Sequence, residues 1–271
     1  MPPQYKLKKL REKTPEILVE DVPDRLFLSK NDKTGVSINT SIALTCTGMT
    51  RACSVYCYGL GGRIAMPAAL RRQAENAALF GIDTQEWGQL ADEAMDIAHV
   101  VSRQQDFLRM FGVGDLQLGS VYFINQLAAY AKAVKPKFRI WVSTRKFDMA
   151  AKLVESPNLH VMLSFDATTL ARHRAAGLKL LAKRRPQFFA AWVRCTDDEV
   201  IPKWVNVVFE EHAIGRGRAK RAPDARTCPA TIHEGHPDAV PLESACQNCM
   251  YCFDTKKRAT NTPLVVLRKR K

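Results

Sequence analysis

Residues 107–144, FLRMFGVGDLQLGSVYFINQLAAYAKAVKPKFRIWVST, decide the fold. Phe107 begins an apolar run that breaks at Gly114-Asp115, Ser120 then caps an apolar helix, and Lys135-Pro136 ends that helix before residues 138–144 return to a strand pattern. Strand, helix and strand at this spacing predict parallel pairing through a right-handed crossover.

The same alternation extends in both directions. Downstream come a short helix at 148–155, a strand at 160–165, a helix capped by Asp166 or Thr168, and strands at 188–195 and 204–209. Upstream, Met66-Pro67 opens a helix that stops at Gly81. Asp83-x-x-Glu86 resembles a capping box for a second helix, along which Trp87, Leu90, Ala94, Ile97, Ala98 and Val101 recur at three- and four-residue steps. Residues 36–44 place Val36, Ile38, Ile42 and Leu44 on one strand face. About six strands follow, in an α/β protein whose functional loops belong at the carboxyl ends of the strands. Periodicity alone does not separate a flat parallel sheet from a curved one.

The expected organisation is an N-terminal arm over residues 1–35, a βα body over 36–212, and a region over 213–271 that holds a basic linker, a cysteine-rich segment and a basic tail. With 271 residues at 46% hydrophobic composition, the chain can build one large core without disulfides. No stretch approaches the roughly 20 apolar residues of a membrane span, and the first residues lack a hydrophobic signal core, so a cytoplasmic protein is expected. Lys and Arg number 41 against 27 acidic residues, a formal charge of +14. Such a field attracts polyanions, which admits nucleic acid as a partner, although RNP-type, zinc-finger and basic-zipper patterns are absent from the sequence.

The chemistry is expected at two groups of cysteines, clustered as ligands are in a reducing compartment. Cys46, Cys53 and Cys57 lie in one loop directly after the first strand pattern, followed by Gly59, Gly61 and Gly62. Three thiolates from one segment suit three irons of a cubane with the fourth iron open, or zinc with a fourth ligand from elsewhere. Cys228-Pro229 and Cys246-x2-Cys249-x2-Cys252 form the second group, similar to a reordered ferredoxin ligand run, with zinc as its alternative and His233 and His236 between the ligands. Arg145, after the third strand, could pair with a ligand's carboxylate through its planar fork but reads more simply as a surface arginine, and Cys195 reads as a small buried residue.

A first strand ending in a three-cysteine loop, with the aromatic Tyr56 just before Cys57 and βα units after it, resembles the radical S-adenosylmethionine superfamily. It is similar in particular to an uncharacterised phage- and plasmid-borne family that pairs such a loop with a C-terminal cysteine cluster. The resemblance implies a partial (β/α) barrel of about six parallel strands with a C-terminal cysteine-rich metal-binding extension. It implies a [4Fe-4S] cluster on Cys46, Cys53 and Cys57 that binds and reductively cleaves S-adenosylmethionine, and an auxiliary cluster or zinc on Cys228, Cys246, Cys249 and Cys252. Gly114 and Asp115 would stand where the superfamily's Gly-Gly-Glu motif meets the methionine amino group, and Ser164 or Asp166 near the ribose. An electron donor is the implied partner. The loop departs from the usual C-x3-C-x2-C spacing, being C-x6-C-x3-C, and Val113-Gly-Asp115 replaces Gly-Gly-Glu. The competing expectation is a non-catalytic nucleic-acid-binding protein of a phage or mobile element, with structural zinc or iron-sulfur centres.

Overall fold

The computed structural model describes residues 3–31, 35–81, 87–183, 186–196, 198–210, 226–228, 249, 251–253 and 258. Seven strands form one sheet in chain order: β1 (Leu28–Asn31), β2 (Gly35–Ile38), β3 (Phe107–Met110), β4 (Arg139–Thr144), β5 (Leu159–Phe165), β6 (Phe188–Arg194) and β7 (Val207–Glu210). β1 pairs antiparallel with β2, and every later pairing is parallel. A parallel sheet that adds strands in sequence with right-handed crossovers keeps its connecting helices on one face. This is an open, partial (β/α) barrel with β1 and β7 at its edges.

The helices are α1 (Pro3–Lys13), α2 (Ile42–Thr45), α3 (Arg51–Tyr56), α4 (Pro67–Leu79), α5 (Trp87–Ser102), α6 (Leu118–Val134), α7 (Phe147–Ala150) and α8 (Ala171–Ala182). Alternation along the strands sorts side chains to two faces. Leu108, Met110, Ile140, Val142, Val161, Leu163, Ala190 and Val208 face the helix layer and join Leu90, Ile97, Phe123, Ile124 and Leu127 in the main core. Phe107, Trp141, Met162, Phe189, Ala191 and Val207 face the other way, where Tyr251 and Phe253 from the C-terminal region cover them. At about 25 cal/mol per Å² of apolar surface, burial on both faces stabilises the sheet.

Several expected boundaries move, for reasons the hydrogen bonds supply. The strand expected over 36–44 ends at Ile38, and the chain turns into α2, which leaves Leu44 54% exposed. The polar run Asn39-Thr40-Ser41 causes the break: Asn39 Oδ1 accepts from Val113 N–H, and Ser41 carbonyl accepts from Thr45 Oγ1. Ser120 is not the N-cap of α6 but its third residue, reaching back so that its Oγ accepts from Gln117 N–H at 2.8 Å. The helix expected over 148–155 is the single turn α7. Helix α8 starts after Leu170 without a side-chain cap, so neither Asp166 nor Thr168 serves as one. The expected capping box at 83–86 lies outside the described residues. The expected lead-in supplies α1 and β1. Among the described residues no helix is long and apolar enough to cross a membrane.

Candidate metal and ligand site

The cysteine loop leaves the carboxyl end of β2 through α2. Cys46 terminates α2, Cys53 lies within α3, and Cys57 terminates α3, its N–H bonded to the Cys53 carbonyl at 2.9 Å. Thr50 caps α3, its Oγ1 accepting from Cys53 N–H at 3.1 Å. Cys46 and Cys57 pack with Leu7, Leu10, Ile42, Leu60, Leu70 and Val113 in a small apolar cluster, so α1 lies over the loop and shields it. Gly59 is required by that packing, since a Cβ there would meet Ile42 Cδ1 at 2.3 Å. Gly61 has open space around its Cα instead.

The three thiols interact with one another. Cys57 donates to Cys53, and this bond, with help from the Arg145 charge, lowers Cys53 to about 7. The same bond, then burial, pushes Cys57 well above the ordinary thiol range. Burial first, then Asp115 and Cys53, raises Cys46. Three thiolates here would repel one another in a poorly solvated pocket, so their joint ionisation calls for a positive centre. Among the described residues no three or more His, Cys, Asp or Glu side chains are grouped so as to hold a metal ion. A single zinc at about 2.3 Å from each sulfur asks for thiolates within roughly 4 Å of one another.

Two carboxylates fix this loop to the sheet. Asp166, fully buried at the end of β5, accepts at Oδ2 from Thr50 Oγ1 at 2.5 Å and pairs there with Arg145 Nη1 at 2.7 Å. Its Oδ1 accepts from Thr168 N–H and Thr168 Oγ1, both at 2.8 Å, and Thr168 Oγ1 accepts from Ala52 N–H at 3.0 Å. These donors fill the carboxylate, so a ribose hydroxyl would have to displace one of them. Arg145 is therefore not a surface arginine: its side chain is 11% exposed and is held by Asp166.

Asp115 joins the turn after β3 to the end of β4. Oδ1 accepts from Thr144 Oγ1 at 2.5 Å and Leu116 N–H at 2.8 Å, while Oδ2 takes a longer bond, 3.3 Å, from Arg145 N–H. Its own N–H donates to Thr45 Oγ1 at 2.9 Å, tying α2 to the same turn. Burial raises its carboxyl above the usual range. Gly114 beside it has φ +90°, and a Cβ there would meet Thr40 Oγ1 at 2.0 Å, so the turn admits glycine alone. Ser164 lies two residues before Asp166 on β5 and shares its face.

The second cysteine group lies toward the other end of the sheet. Cys228, Cys249 and Cys252 all pack against the Phe107–Trp141–Phe253 cluster, whereas Cys246, His233 and His236 lie outside the described residues. Cys228 N–H donates to the Val208 carbonyl at 2.7 Å. Arg258 fastens this segment, donating to the Cys252 carbonyl at 2.6 Å and the Pro186 carbonyl at 3.0 Å and stacking 4.5 Å from the Phe189 ring centroid. Cys46, Cys53 and Cys57 are free thiols. The roles of Thr50, Thr168 and α1 were not apparent from sequence, because their partners are distant in the chain. A Thr before a cysteine-bearing helical turn is the one local sign of Thr50.

An open βα barrel with a partly buried cysteine loop at its carboxyl rim, and with Cys228, Cys249 and Cys252 packed on the face away from the helices, defines the class. The chain belongs to the Gene product 88 family, whose family model matches residues 8–255. No curated protein and no solved structure matches it.

Proposed function

We propose that the protein is an iron-sulfur enzyme of the radical S-adenosylmethionine kind. The observation that carries this reading is the docking of a three-thiol loop on the carboxyl rim of a partial barrel by Thr50, Arg145 and Asp166. Cys46, Cys53 and Cys57 would hold a [4Fe-4S] cluster. Such a cluster, reduced and bound to S-adenosylmethionine, supplies the electron that splits the sulfonium. The protein's own part is positional. Asp166 and Arg145 set the loop on β4 and β5, the Leu7–Leu10 face of α1 excludes water, and Asp115 fixes the β3–β4 rim with its longer-bonded oxygen able to accept from an ammonium group. Ser164 offers a hydroxyl from the inner face. Cys228, Cys246, Cys249 and Cys252 would hold an auxiliary iron-sulfur centre or zinc, and the electron donor is a separate partner.

Reconstitution without oxygen should give about four irons per cysteine group, and reduction with S-adenosylmethionine should release 5'-deoxyadenosine. Stoichiometric zinc at Cys46, Cys53 and Cys57, with no nucleoside released, would overturn the reading. A second reading, a nucleic-acid-binding protein with structural metal centres, is favoured by the exposed Lys6, Lys8, Arg11 and Lys13 on α1 and by the net charge of +14. It requires affinity for DNA or RNA that falls steeply with salt and is indifferent to loss of Asp115.

A further inference from the structure

The concave face of the sheet changes character along the strands. Its lower layer is the apolar cluster covered by Tyr251 and Phe253. One step nearer the cysteine loop, Arg109 follows Phe107, Ser143 follows Trp141 and Ser164 follows Met162, each two residues on and so on the same face. The parallel register sets Ser37 beside Arg109 on one side and Trp141 on the other. Ser37, Arg109, Ser143 and Ser164 thus form a staggered polar belt on this face, with Ser143 in register with Met162 and Ser164 with Ala191, and with the Ser37 hydroxyl already donating to the Ser29 carbonyl and Asn39 Oδ1 at 3.5 Å.

Among the described residues no carboxylate balances the charge of Arg109. Its guanidinium stacks 4.6 Å from the Trp141 ring centroid, and its buried Nε has no hydrogen-bond partner among them. The two rim carboxylates are engaged elsewhere, Asp166 with Arg145 and Asp115 with Thr144. Ser143 and Ser164 likewise make no side-chain hydrogen bond among the described residues. A guanidinium lying over an indole keeps its planar N–H fork, which suits two oxygens of one anion. Hydroxyls alongside add donors without adding charge.

We propose that this belt binds the oxyanion group, carboxylate or phosphate, of a small-molecule ligand on the concave face, with Arg109 as its anchor. The site deepens the enzyme reading by giving its substrate a chemical class, and it rests on that reading only for what happens after binding.

The test is thermal unfolding of the full-length protein in inorganic phosphate or sodium acetate against sodium chloride at equal ionic strength. Wild type should be stabilised saturably by one of the two oxyanions, and which one distinguishes phosphate from carboxylate. Arg109→Gln should weaken that apparent affinity at least tenfold and Arg109→Lys less, with unchanged circular dichroism. If Arg109→Gln does not fold, the double variant Ser143→Ala/Ser164→Ala should weaken affinity several-fold. Equal stabilisation of wild type and folded variants, or none beyond chloride, overturns the proposal. Formation of 5'-deoxyadenosine is measured separately, so its failure leaves the anion result standing.

Discussion

Arg145 and Asp166 close a 2.7 Å ion pair between the ends of adjacent parallel strands, and the hydroxyl of Thr50 from the cysteine loop meets the same carboxylate oxygen. Sheet and loop therefore share one polar joint. Replacing Asp166 by Ala leaves Arg145 buried without its partner and Thr50 without its acceptor, at a cost of about 3–5 kcal/mol in urea unfolding. The double variant Arg145→Leu/Asp166→Leu should recover much of that stability, because no buried charge is stranded. It should still fail to retain iron on reconstitution, since Thr50 has lost its anchor. Full iron retention in the double variant would show that the joint does not position the loop.

Asp115 predicts a pH dependence of defined sign. Burial raises its carboxyl in the folded protein, so the native state binds its proton more tightly than the unfolded state does. Its contribution is fully present below the unfolded value of about 3.9 and is lost as pH rises through the raised folded value. In metal-free protein, the stability of wild type relative to Asp115→Asn should therefore decrease as pH rises above about 4. Urea midpoints measured across this range decide it: a difference that is flat or increases with pH contradicts the assignment.

The order of the parallel strands was legible because each βα unit carries local signals, such as Lys135-Pro136 after α6. The rim was not, because its bonds join residues far apart. Asn39 bonds Val113, Thr45 bonds Asp115, and Thr50 bonds Asp166 across 116 positions, so the same polar residues read locally as strand, turn and helix cap. The cysteines themselves were visible from spacing. The shielding of Cys46 and Cys57 by α1 was not, since Leu7 and Leu10 sit in a lysine-rich stretch whose mean hydropathy is low.

The thiols of the loop should differ in reactivity before any metal is added. Cys53 is lowered to about 7, chiefly by the hydrogen bond from Cys57, while Cys57 and Cys46 are raised. Alkylation of metal-free protein by iodoacetamide at neutral pH should label Cys53 first, its rate rising through about pH 7, with the other two slow. Arg145→Met should move that profile upward by removing a favourable charge. Peptide mapping by mass spectrometry reads both results, and faster labelling of Cys46 would contradict the arrangement.

Helix α1 provides the last test, because it separates shielding from stability. Leu10 is 4% exposed and packs with Ile42, Leu60, Leu70 and Val113 over the loop. Leu10→Ala opens a cavity and should cost about 2–4 kcal/mol. Reconstituted protein carrying it should lose its visible iron-sulfur absorbance in air several-fold faster than wild type, as water and oxygen reach the thiolates through the gap. Lys8→Gln, on the exposed face of the same helix, should change neither property. Unchanged absorbance lifetimes in Leu10→Ala would mean that α1 covers the loop without protecting it.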